Sequence, residues 1–169
     1  MPSEPPSPKV SSGEADAFAK VAERLLEEWQ FPEAGRVTFS EQDQDLVIEG
    51  RHRASFGKGV LALTHAAFSL ALLRFCLDSD LPTPGLAVID SPLVVYREPD
   101  PEEGAFPSGV KDNFYRSIAR SFGDAQVFIF ENETPPDDLG AEANIVKFTK
   151  STSGRYGFIP QGAQPDRPS

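Results

Sequence analysis

Apolar residues in EADAFAKVAERLLEEWQ recur with a helical period. Phe18, Val21, Ala22, Leu25, Leu26 and Trp29 stand at i, i+3, i+4, i+7, i+8 and i+11, which predicts a helix with one apolar stripe and an acidic opposite face. Pro32 is its expected stop. The period then falls to two. In RVTFSEQDQDLVIEG, Val37 and Phe39 alternate with polar neighbours, as do Leu46 and Ile48, and the polar SEQDQD lies between them. That pattern predicts a hairpin.

RHRASFGKG reads as a polar, glycine-bearing loop, and VLALTHAAFSLALLRFCL as a long apolar helix interrupted by Thr64, His65, Ser69 and Arg74. Its length alone would suit a membrane span, but its polar residues and charged flanks fit the buried helix of an α/β core better. PTPG marks a turn before the strand LAVID. VYREPDPEEGAFPSG follows as an acidic loop, SGVKDNFYRSIARSF as an amphipathic helix through Val110, Phe114, Ile118 and Phe122, QVFIFENETPP as a second strand and NIVKFT as a third. Helices alternating with apolar strands predict an α/β fold: a largely parallel sheet flanked by helices, preceded by an N-terminal helix and a β-hairpin. Residues 1–13, rich in Pro and Ser, read as disordered, 14–160 as one α/β domain, and 161–169 as a flexible tail.

Composition narrows the function classes. With 169 residues, 39% hydrophobic and 10% aromatic, the chain can bury a core. A formal charge of −10 argues against a broad grip on nucleic acid, which needs clustered Lys and Arg; the local patch Arg51, His52, Arg53 and Lys58 is the exception. The single Cys76 lies in an apolar run and reads as a buried reduced thiol. The start MPSEPPSPKVSSGE has neither the basic end nor the apolar run of a secretory signal, so a cytoplasmic, membrane-free protein is expected.

Asp90 is the leading candidate for chemistry. Four small or apolar residues, Leu86 to Ile89, deliver it to the carboxyl end of a strand, where α/β sheets gather ligands and where a carboxylate can hold Mg²⁺ beside a nucleotide triphosphate. The plain alternative is a strand-end turn formed with Ser91 and Pro92. SFGKGV, opening the apolar helix, would offer backbone N–H groups and Lys58 to a phosphate, or act simply as a glycine-rich cap. It is no Walker A loop: the residue five before Gly57 is His52, and Gly59 stands where a Ser or Thr would meet Mg²⁺. FENETPP places Glu131 and Glu133 at the tip of the next strand, as candidates to share a metal with Asp90 or activate water, or as solvated loop acids. His65 reads as a core histidine. Ser91 lacks a His partner for a triad.

In order, these pieces resemble the C-terminal half of the ABC-type ATPase heads of SMC, RecF and RecN proteins. They are most similar to the bacterial and phage SMC-like AAA family ATPases, in which FGKGxxALTHAAFxxALL precedes a strand ending IDSPL. The corresponding stretches are FGKGVLALTHAAFSLALL and VIDSPLVVYREPD, followed by VFIFENETPP and GRYGFIP. The resemblance spans 14–160, and its first helix would belong to a coiled coil. It implies that Ser55, Phe56, Gly57, Lys58 and Gly59 occupy the signature loop, which contacts the γ-phosphate of ATP held by the opposite head. Leu86 to Asp90 would be Walker B, with Asp90 on Mg²⁺, and Ser91, Pro92 and Leu93 would begin the D-loop. Glu131 would mark the switch position, usually a histidine.

This sequence departs from the pattern in three places. The catalytic glutamate expected after Asp90 is Ser91, the Ser-Gly-Gly order of the signature is missing, and these 169 residues carry no Walker A. The expectation is therefore a Walker B and signature half that completes an ATP–Mg²⁺ site with a protein partner bringing the P-loop. A homodimer would cover the open sheet without supplying that loop, and DNA would be met through the assembled complex. The alternatives are a non-catalytic protein-interaction module derived from such a head, and a small metal-dependent phosphohydrolase or nuclease using Asp90, Glu131 and Glu133.

Overall fold

A computed structural model describes residues 10–93, 109–139, 142–149 and 155–157. They fall into two compact units divided after Leu139. The first contains α1 (Ser12–Glu28), β1 (Val37–Ser40), β2 (Asp45–Ile48), β3 (Arg51–His52), α2 (Lys58–Asp78), β4 (Leu86–Asp90), α3 (Val110–Ser121) and β5 (Gln126–Phe130). β1, β2 and β3 form an antiparallel sheet in that order, and β4 pairs in parallel with β5. The fold is mixed α/β as expected, and among the described residues the parallel sheet has two strands. The expected loop 51–52 joins the hairpin instead as β3, because Glu49 (φ 50°) and Gly50 (φ 74°) form the two-residue, doubly left-handed turn that strand twist favours.

The helical stripe of α1 behaves as the sequence predicts. Phe18, Val21, Ala22, Leu25, Leu26 and Trp29 are all buried, and α1 packs along α2 and β1. Its start lies earlier than position 14. Ser11 caps it, its hydroxyl accepting from the Glu14 amide while the Glu14 carboxylate accepts from the Ser11 amide and hydroxyl, a reciprocal capping box. These bonds hold the Glu14 carboxyl below its usual range. Its end lies before Pro32. Gln30 turns left-handed (φ 56°), its amide donates to Glu27, and the Phe31 amide donates back to Leu26 at 3.0 Å; these bonds define a Schellman cap.

α2 would pass for a membrane span by length and composition, with a mean hydropathy of 1.8. In this unit it is the central helix. Gly59, Ala66, Ala67 and Ala71 are buried and let the neighbouring backbones approach, while Leu63 and Leu70 fill the core. Phe18 of α1 meets Phe68 and Phe75 of α2 and Phe39 of β1 edge-on, with ring centres 5.2–6.2 Å apart. Two sequence expectations on α2 need correction. His65 is exposed, because it falls on the side of the helix away from the core, and Cys76 is half-buried. α2 ends as α1 does: Asp80 is left-handed (φ 52°) and the Leu81 amide donates to Cys76 at 2.8 Å.

Arg74 fixes the C-terminal half of α2 to the turn that leads into β5. Its guanidinium donates to both Asp124 oxygens (2.8 and 3.1 Å), to the Ser121 carbonyl and to Asp78. The Asp124 carboxyl is consequently held below its usual range. α3 is anchored to α1 by Trp29 against Phe114, centres 4.8 Å apart, and by the buried Ser117 hydroxyl donating to Glu28.

The third strand expected at NIVKFT is not formed. Residues 143–149 are neither helix nor strand, and Ile145, Val146 and Phe148 are exposed. This second unit folds back locally: the Thr149 amide donates to the Arg155 carbonyl at 2.9 Å, and the Arg155 guanidinium lies over the Phe148 ring. The acidic loop 95–108 and the tail 161–169 lie outside the described residues.

Two predictions follow from these helix ends and cross-links. Gln30→Gly and Asp80→Gly each relieve a left-handed non-glycine residue at a helix cap, and each should raise stability by about 0.5–1 kcal/mol in denaturant unfolding. Because the Asp124 carboxyl is lowered in the folded state, its contribution is present above the ordinary carboxylate range and is lost as pH falls through the lowered value. The gap in melting temperature between the wild type and Asp124→Asn should therefore be widest near neutral pH and close in acid.

Candidate functional site

Asp90 stands where the sequence places it, exposed at the carboxyl end of β4 and in register with Phe130, the last residue of β5. The strand alternates: Ala87 and Ile89 are buried against the helices, while Leu86, Val88 and Asp90 face outward. Asp90 thus belongs to the outer face by the period-two rule. Ser91 extends the ladder by one bond, its amide donating to the Phe130 carbonyl at 2.8 Å, and then leaves the strand in the left-handed region (φ 50°). Its hydroxyl donates to Asp90 Oδ1 at 2.9 Å. Oδ2 has no partner among the described residues. A non-glycine residue held left-handed at a strand end is a strained conformation of the kind that accompanies functional turns.

The two glutamates of FENETPP have structural partners. Glu131 Oε1 accepts from the Leu93 amide at 2.8 Å and Oε2 from the Asn132 amide at 3.1 Å, so this carboxylate clamps the turn of Ser91, Pro92 and Leu93 to the tip of β5. Pro92 and Leu93 are buried beneath it. Glu133 is ion-paired with Lys111 in the first turn of α3. Tyr115, one turn further along α3, is buried with its hydroxyl unpartnered among the described residues. Burial, and then the charges of Glu131 and Glu133, push its pKa above the usual phenol range. Among the described residues, no three Asp, Glu, His or Cys side chains gather as a metal-ligand set. Asp90 is left as the carboxylate at this edge open to a ligand.

The glycine loop is a second constellation. A 3₁₀ turn (Arg53–Ser55) follows β3, Phe56 is buried, and Gly57 is the N-cap of α2 without a side-chain bond. Arg51 holds it in place: its guanidinium lies 4.2 Å from the centre of the Phe56 ring and donates to the Ser55 carbonyl at 3.0 Å, while the Ser55 hydroxyl donates to the His52 carbonyl. Lys58 is exposed at the positive end of the helix dipole, an unfavourable place for a cation unless an anion shares it. The basic patch read from the sequence is largely neutralised. Arg51 faces Glu33, His52 faces Asp43, and Arg53 pairs with Asp45 at 2.6 Å. No hydrogen bond or ion pair links residues 55–59 to Asp90 or Ser91.

The sequence offers no sign of Lys111 or Tyr115 at this site, and it shows Arg51 only as part of a basic patch. Lys111 takes its role from a partner 22 residues away, Glu133, which no local pattern announces. If Glu131 is the clamp described, Glu131→Ala should cost about 1.5–3 kcal/mol in urea unfolding, the range for bonds to a charged acceptor; a solvated loop acid would leave stability unchanged. Compared with protein-family models and with curated proteins, the chain matches none.

Proposed function

We propose that this chain is the Walker B and signature half of an SMC-like ATPase head. It would complete an ATP site with a partner polypeptide that supplies the P-loop, in DNA maintenance, repair or defence. The observation that carries the reading is the carboxyl edge of the β4–β5 pair. There an outward carboxylate with one unengaged oxygen, Asp90, precedes a left-handed turn that Ser91 and Glu131 hold rigid. A pre-set carboxylate of this kind is what positions Mg²⁺ on a nucleotide. In this reading Asp90 would hold the metal, Ser91, Pro92 and Leu93 would form the D-loop, and Ser55 to Gly59 would reach the γ-phosphate of a nucleotide held elsewhere.

The engagement of Glu131 by Leu93 and of Glu133 by Lys111 favours a second reading, a non-catalytic interaction module, over a phosphohydrolase that spends those glutamates on a metal. Calorimetry with Mg²⁺ and ATP tests the first reading. The isolated chain should bind weakly or undetectably, and micromolar binding would refute it. ATP turnover should appear with a P-loop-bearing partner and fall by at least about 100-fold in Asp90→Ala, the scale for losing one preorganised electrostatic contact. Loss of turnover with partner binding intact supports the ATPase half; a variant without any phenotype supports the module.

A further inference from the structure

We draw no further inference here: the strongest candidate, the groove between α1 and the start of β1 where Asp16, Glu23 and Glu27 gather, is an acidic cluster in which Glu23 is already engaged by the Val37 amide, and nothing in the structure shows what covers it.

Discussion

The register of β4 against β5 is the constraint on which the rest of this unit depends. Because side chains alternate with a period of two, a slip of one residue would turn Ala87 and Ile89 outward and drive Leu86, Val88 and Asp90 toward the core. Both ends of the pair are pinned. The Gln126 amide donates to the Gly85 carbonyl at one end, and the Ser91 amide donates to the Phe130 carbonyl at the other. Left-handed residues bound the strand on each side, Gly85 at φ 65° and Ser91 at φ 50°, so the ladder can neither lengthen nor slide. Arg74 supplies the third restraint by gripping the turn before β5 from α2. Asp90 faces outward because these three restraints agree.

The polar groups around that edge divide by what they already hold. Glu131 satisfies two backbone amides, and Glu133 neutralises Lys111. A group engaged in this way gives up those bonds before it can accept a ligand, so its availability for chemistry is lower than its residue type suggests. Asp90 shares one oxygen with Ser91 and keeps the other. The contrast separates Asp90 from the other two carboxylates in the sequence candidate set.

Much of the first unit was legible because its signals are local. The α1 stripe, the β1–β2 hairpin, the apolar α2 and the aspartate ending LAVID follow from periodicity and turn residues, and each forms where the pattern puts it. What was not legible depends on tertiary contacts or on conformations that residue type disfavours. The helix stops at Gln30 and Asp80 use left-handed residues other than glycine. The Glu49–Gly50 turn recruits Arg51 and His52 into a strand. The exposure of His65 was not legible, because apolar composition all around α2 hides which side meets the core. NIVKFT has strand composition but finds no partner strand among the described residues, and composition alone does not make a ladder. At the site, position could be read for Asp90, whereas the clamp role of Glu131 required knowing that Leu93 returns beneath β5.

Among the described residues the parallel sheet has two strands, and that number limits what its carboxyl edge offers. Ligands of α/β sheets settle in a crevice beyond the carboxyl ends, between neighbouring strands whose connections diverge. Two strands give one such edge, and on it Asp90 is set by the register opposite Phe130. Ala87, Ile89, Val127 and Ile129 of the same two strands join the core that buried residues of α2 and α3 also build.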